Sequence, residues 1–270
     1  MTATLTPAAV PARLTSLRQT AAMSKRSIIA LIRQPALVVP SMIFPLFFAA
    51  LGTSSFGRAT ALPGFPKVDS FLDFSLAGTI VQGVLFGSVQ SGSALATDIE
   101  NGFFFRLLAS PTSRLGILLG RLMGAAAYGA TQTLIFTLLL IPFGLSVKGG
   151  LPGAVVMLIA GGLTAISVAG FMAAMALRTG SSEAVQGIFP LVFIALFFSS
   201  AFFPRQTMSG AYRHIANANP ISYLIEGLRD LCIDGFTASA CAKALLVPVG
   251  IGIVSFTIAL RALAKRVAAQ

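Results

Sequence analysis

The sequence predicts an all-α polytopic membrane protein with six transmembrane helices, and three observations carry that expectation. First, 56% of its residues are hydrophobic and only 10% are charged, with a mean hydropathy of +0.87. A soluble domain carries about 25% charged residues, so most of this surface is expected to meet lipid. Second, six continuous apolar runs approach or exceed the roughly 20 residues that a helix needs to cross ~30 Å of hydrocarbon. Third, Lys and Arg sit between and beside those runs, where a membrane protein uses them to set its orientation. A transmembrane β-barrel would instead show alternating segments of about ten residues.

In chain order, residues 1–13 read as a flexible N-terminus. They are small and polar, with no apolar core of a signal peptide, so no cleavable signal is expected. Residues 14–34 read as an interfacial amphipathic helix. Leu14, Leu17, Ala21, Ile28 and Leu31 recur near helical spacing, with Arg18, Lys25, Arg26 and Arg33 between them, and Pro35 ends the pattern. A disordered basic arm is the alternative. The six-helix membrane domain spans 35–266, followed by a tail at 267–270. Its spans are 36–57 and 74–97, both uncharged, then 115–147 with Arg121 at its inner edge, 151–177, 184–203 and 241–262.

The net charge of +11 raises nucleic acid or a membrane surface as a partner. The basic residues do not cluster with aromatics on a polar face, so no nucleic-acid partner is expected and the lipid bilayer is. Arg13, Arg18, Lys25, Arg26 and Arg33 precede the first span. Arg106 and Arg114 fall between the second and third, Arg178 follows the fourth, and Arg261, Lys265 and Arg266 end the last. This bias predicts a multi-pass protein of the cytoplasmic (inner) membrane with both termini cytoplasmic. Cys232, Cys241 and the lone His214 build neither a disulfide framework nor a metal site, and no metal is expected. The two cysteines can still pair on an oxidising outer side.

Two segments are neither spans nor solvated loops. The first runs from Asp98 to Arg114. Phe103, Phe104, Leu107 and Leu108 put an apolar face on a short helix, with Asp98 and Glu100 at its start, Arg106 in a later turn and Pro111 as its stop. Two readings are open: a helix that docks into a partner's groove, or aromatics resting in the headgroup layer. The second begins at Asn219-Pro220. Ile221, Leu224, Ile225, Leu228 and Leu231 form one stripe, too short to span and too apolar to be free, as in a re-entrant or interfacial helix. Glu226 lies beside that stripe, where an unpaired acid costs roughly 2.5–3.5 kcal/mol. Arg229, three residues on, is the expected ion-pair partner, buried or facing water.

These two segments resemble motifs of the type-2 ABC exporter permeases. Glu100, Gly102 and Ser110-Pro111 match the family's acidic loop, with Asp98 in place of its first Glu, and Leu119-Gly120-Arg121 resembles the Gly-Lys element that follows. Asn219 to Arg229 matches N-P-[LIV]-[ST]-Y-x-x-[ED]-x-[LF]-R throughout, and Phe203-Pro204 resembles the element that closes the fifth span. The likeness covers nearly the whole chain. It is greatest to the drug- and lipid-exporting branch, daunorubicin-resistance-type permeases included. Ile99 and Phe105 depart from it, replacing residues that are usually charged.

The resemblance implies roles that spacing does not. Asp98, Glu100, Gly102, Phe104, Arg106, Leu107 and Pro111 would belong to a cytoplasmic coupling helix that receives motion from an ATP-binding cassette subunit, present in two copies. Asn219, Pro220, Tyr223, Glu226 and Arg229 would belong to an outer gate formed by short re-entrant helices between spans five and six. A second permease chain, identical or paralogous, would complete the pathway. No G-x-x-x-x-G-K-[ST] phosphate loop occurs, so ATP and Mg would be bound by the partner, and this chain is expected to be a transport subunit with no cofactor or catalytic residue of its own. The expected cargo is a lipophilic or amphiphilic drug or lipid moved outward. A secondary transporter driven by an ion gradient is the alternative, but that class uses ionisable residues or broken helices in mid-membrane, and these spans carry essentially no such charges. An intramembrane enzyme would need convergent acids, histidines or metal ligands.

Overall fold

A computed structural model describes residues 21–26, 28–29, 35–61, 64–110 and 113–268, and among these the chain is helical with short connections. Residues 21–26 and 28–29 are helical. The rest of the expected amphipathic helix at 14–34 lies outside the described residues, as do the flexible start, Pro111 and residues 269–270.

Helix α1 runs Pro35–Phe56 and tolerates Pro40 and Pro45 inside it. Helix α2, Phe71–Glu100, starts with a capping box. The Ser70 hydroxyl accepts from the Leu72 N–H while Asp73 accepts from the Ser70 N–H. The other Asp73 oxygen accepts from the Ser146 N–H at 2.8 Å, which ties this end to the connection between α4 and α5. Helix α3 is the short Phe103–Leu108. Helix α4, Arg114–Leu140, closes in a tight turn at Ile141–Phe143. The sequence-based span to Val147 therefore ends early, because Pro142 and Gly144 (φ +96°) cannot continue the helix. Helix α5 is Gly150–Thr179, followed by α6 (Ser182–Gln186), α7 (Phe189–Phe197), α8 (Gly210–Ala218), α9 (Pro220–Ile233) and α10 (Ala238–Ala268).

Among the described residues, five helices are long and apolar enough to cross a membrane: α1, α2, α4, α5 and α10. The expected fifth span, 184–203, is not one helix. It divides into α6 and α7, and the chain leaves helical geometry after Phe197. Gly187 and Pro190 sit at the break, where proline offers no N–H and crowds the preceding turn. Even if straight, Ser182–Phe197 would reach only about 24 Å.

Helix α2 is the centre of the bundle. Its apolar stretch is almost wholly buried, whereas α1 and α10 expose most of theirs. It packs against α1, α4, α5, α6 and α9, while α5 joins α10 and α4 to it. Its 30 residues run about 45 Å, longer than the ~30 Å hydrocarbon layer, so it projects or tilts.

Small residues set the approach. A methyl on Gly83 would come within 2.5 Å of the Phe136 ring, and one on Gly87 within 2.4 Å of Tyr128. The Gly83/Gly87 surface is thus spent on α4 of the same chain. At Gly92 a methyl would lie 2.3 Å from the Met172 Cβ and 3.2 Å from its Cα, so α2 and α5 would have to separate. Gly92→Val is expected to lower the thermal midpoint of the detergent-purified protein by several degrees, with Gly92→Ala milder. An unchanged melting curve for the valine variant would contradict this packing.

Candidate functional site

The two segments singled out by sequence lie at opposite ends of α2. At its C-terminal end, α2 continues through Asp98 and Glu100, so these acids belong to its last turn and not to the start of the short helix. That helix begins at Phe103, after Gly102 turns the chain with φ +69°. A side chain there strains the backbone, which is why glycine suits the position. Phe104 is 2% exposed and anchors the short helix against Leu95, Ile117, Leu118, Leu177 and Leu263. Phe103, Phe105 and Leu107 are half-buried, and Arg106 is exposed. The segment therefore has both an anchored face and an exposed one that carries Arg106.

Asp98 is gripped from two sides. Arg26 gives it paired hydrogen bonds of 3.1 and 3.2 Å, and the Arg121 guanidinium makes a second, close ion pair. The Arg26 guanidinium also covers the Phe103 ring at 4.1 Å, and the Ser24 hydroxyl donates to the Gly120 carbonyl. One carboxylate thus joins the N-terminal helical segment, α2, α3 and α4. Glu100 works differently. It accepts from the Ser182 N–H at 2.6 Å and from its hydroxyl, placing a negative charge at the N-terminus of α6. Arg26 and Arg121 as partners of Asp98, and Ser182 as the partner of Glu100, lie 23 to 82 residues away, beyond any helical period.

At the other end, the side chains of α8 and α9 satisfy the broken backbone after α7. The Asn219 Nδ2 donates to the carbonyls of Ala195 at 2.7 Å and Phe198 at 2.9 Å, while its Oδ1 accepts from the Ile221 N–H. One amide thereby closes the end of α7 and caps the start of α9, with Pro220 at a first-turn position where no N–H is needed. The Tyr212 hydroxyl donates to the Phe197 carbonyl. The Ser200 hydroxyl donates to the Ser222 carbonyl at 3.0 Å.

Arg229 completes this set. It is 4% exposed, and its guanidinium donates to the carbonyls of Phe74 at 3.1 Å, Ser200 at 2.7 Å and Ala201 at 3.4 Å. It also lies 3.7 Å over the Phe74 ring. The expected Glu226–Arg229 ion pair is therefore not formed. Glu226 pairs with Arg205, whose Nε donates to Oε1 at 2.5 Å, and both side chains are largely buried. Arg229 is spent on three backbone carbonyls, and Glu226 instead meets a second cation, Arg205, which comes from outside the helix. The Arg205 guanidinium lies 4.3 Å from the Tyr223 ring centre, and the Tyr223 hydroxyl donates to the Asn217 carbonyl. Burial works against the charged form of Arg205, but its hydrogen bonds to Glu226 and the Glu226 charge outweigh it and hold the guanidinium above its ordinary value.

Asp73 is a further residue of this end, and a recognisable signal marked it: Ser70-x-x-Asp73 ahead of an apolar run is a capping box. The N–H groups of Lys148 and Gly149 donate to the Cys232 and Leu231 carbonyls, fastening the end of α9 to the same connection that Asp73 holds. Cys232 and Cys241 are free thiols. Among the described residues no three His, Cys, Asp or Glu converge as metal ligands.

A family model described as ABC-2 type transporter matches residues 18–232. The chain is 31% identical over 224 residues to the daunorubicin resistance ABC transporter permease protein DrrB1 of Streptomyces coeruleorubidus, covering 82% of this chain and 77% of that one. It is 30% identical over 213 residues to the putative transport permease ycf38 of Porphyra purpurea, covering 77% and 72%. It is 25% identical over 181 residues to the probable doxorubicin resistance ABC transporter permease protein DrrC of Mycobacterium tuberculosis (strain ATCC 25618 / H37Rv), covering 65% and 66%.

Proposed function

Because this chain belongs to the ABC-2 type transporter family, we propose that it is the permease subunit of an ATP-driven exporter that moves a lipophilic or amphiphilic drug or lipid outward across the cytoplasmic membrane. Two copies of a separate ATP-binding subunit supply the energy, binding the ATP and Mg. A second permease chain, identical or paralogous, faces this one. Both termini are cytoplasmic. The broken pair α6–α7 makes the fifth of six crossings, and α8 and α9 are re-entrant on the outer side.

One observation carries this reading: α2 is held at both ends by the two motif segments. Asp98 and Phe104 fix α3 to its inner end, and Arg229 grips the Phe74 carbonyl at its outer end. A 30-residue helix packed on nearly all sides moves as a rod, so displacement of α3 is transmitted along it. Arg106 and the free side of α3 are the contact for the ATP-binding subunit. Arg229, Asn219 and the Arg205–Glu226 pair hold the outer segment that opens. Where the carbonyls of 195–201 are satisfied by side chains, non-helical backbone is tolerated at membrane depth.

Co-expression with an ATP-binding cassette protein from the same genome tests the proposal. The two proteins are expected to co-purify with ATPase activity, and Arg106→Glu is expected to weaken assembly while membrane insertion stays normal. Absence of any complex, with transport persisting after ATP depletion under a maintained proton gradient, would overturn the reading in favour of gradient-driven transport.

A further inference from the structure

Two prolines lie inside α1, and each removes one rung of its hydrogen-bond ladder. Pro45 has no N–H for the carbonyl four residues back, which is that of Ser41. Another helix supplies the rung: the Gln132 Nε2 of α4 donates to the Ser41 carbonyl at 2.9 Å. One turn earlier on the same face of α4, the Tyr128 hydroxyl lies 2.8 Å from the Ser41 hydroxyl. Ser41 is 3% exposed and Gln132 0%, so this bond forms away from water and lipid alike.

The glycines of α2 make the reach possible. A methyl on Gly83 would meet the Gln132 amide at 2.7 Å, and one on Gly87 would meet the Tyr128 ring. Both side chains therefore lie over bare backbone of α2, the helix on which α1 packs. The Ser41 carbonyl can only accept, so it fixes the nitrogen end of the amide toward α1. The Gln132 Oε1 is then left buried with no donor among the described residues. An alanine at 45 would close the rung inside α1, and a hydrocarbon side chain at 132 would leave no orphan. The chain instead carries a proline, a buried amide and an unsatisfied acceptor, a local conflict of the kind that proteins keep at working parts. A rung made by one hydrogen bond between helices is also weak enough to break, since such a bond shifts an equilibrium in a membrane roughly three- to tenfold.

We propose that Ser41–Pro45 is a joint in α1 and that Gln132, backed by Tyr128, is the positioning residue that holds it closed. With the Gln132 bond made, the stretch of α1 beyond Pro45 stays seated on α2; with the bond broken, that stretch swings as a unit. Phe47, Leu51 and Phe56 on it are exposed, so the swing leaves most of the core in place. That the swing belongs to a transport cycle rests on the exporter reading, whereas the joint itself does not.

A double-mutant cycle on the full chain in detergent tests this without any transport step. Gln132→Met removes the donor at similar length and is expected to lower the thermal midpoint by several degrees. In a Pro45→Ala background the same change should cost little, because the alanine N–H serves the Ser41 carbonyl. Pro40→Ala, which restores a different rung, should give no such relief. The movement is read in nanodiscs by pulsed electron spin resonance, with labels on Phe56→Cys and Phe143→Cys in a Cys241→Ser background. Both labelled positions are exposed, and Cys232 is buried away from the reagent. Gln132→Met should shift the balance between two α1–α4 distances about three- to tenfold, and adding Pro45→Ala should return a single distance. Where Gln132→Met alone does not fold, recovery of yield in the double variant is the expected result. Equal losses from Gln132→Met with and without Pro45→Ala, no recovery of yield, or one unchanged distance distribution across the variants would overturn the proposal. Failure of the ATPase co-purification would leave these results standing, so the two readings fail separately.

Discussion

Arg229→Met is expected to cost about 2–4 kcal/mol of stability and most of the folded yield. The guanidinium serves the carbonyls of Phe74, Ser200 and Ala201 and covers the Phe74 ring, all out of contact with water. Methionine fills similar space and removes the burden of a buried cation, which offsets part of the loss. It takes that donor from the Ser200 and Ala201 carbonyls, which lie outside any helix, at ~1–3 kcal/mol each, whereas the Phe74 carbonyl keeps its place in the α2 ladder. The orphans outweigh the relief because among the described residues no carboxylate pairs with Arg229, so its charge was already accommodated by carbonyl dipoles and a ring face. Arg229→Lys should recover only part, since an ammonium cannot reproduce the planar fork. Glu226→Gln is the contrast: it removes the charge pairing with Arg205 but keeps an acceptor, so transport should fall more than yield. Equal thermal midpoints for wild type and Arg229→Met in detergent would rule out the structural role assigned here.

Asp98→Ala is expected to have the second large effect. It leaves Arg121, 9% exposed, with no carboxylate and with Arg26 close by as a like charge. Removing one member of a buried pair costs ~3–5 kcal/mol. Arg26 is 40% exposed at its side chain and more easily rehydrated, so about 2–4 kcal/mol is the expectation here. The local sign is more specific than the size. The helical residues 21–26 should detach from α2 and α4, and trypsin should cleave after Lys25 or Arg26 faster than in wild type. Arg121→Met combined with Asp98→Ala should restore part of the stability, because the stranded cation goes with its partner. Unchanged tryptic cleavage together with an unchanged melting curve would show that Asp98 does not hold this end of α2 together.

Much of the site was legible in the sequence at the level of which segments matter. Asp98–Arg114 and Asn219–Leu231 stood out because neither is long enough to span nor polar enough to be a free loop. What those residues touch was not legible. Glu226 had Arg229 within one helical turn, the nearest opposite charge by any local rule. It pairs with Arg205, 21 residues away, because Arg229 is drawn to carbonyls that exist only where α7 ends. The acids at 98 and 100 were placed at the start of a short helix, since Gly102 as a left-handed break between two helices is a matter of backbone conformation. The break in the fifth apolar run had its signals in Gly187 and Pro190, but a hydropathy average does not register them.

By itself the sequence determined the solvent of this protein, the helical class and the two segments that are neither spans nor loops, and it carried the motifs that match the ABC-2 family. Those properties are sums over local composition, spacing and motif, and a lipid environment makes the helical solution nearly obligatory for apolar runs. Only the tertiary structure decided where the fifth run gives way, which cation meets which carboxylate, and that a single helix is held by both motif segments. Each depends on which carbonyl or charge lies within about 3 Å once the bundle has packed, and partners 21 to 155 residues apart leave no periodic trace in the chain.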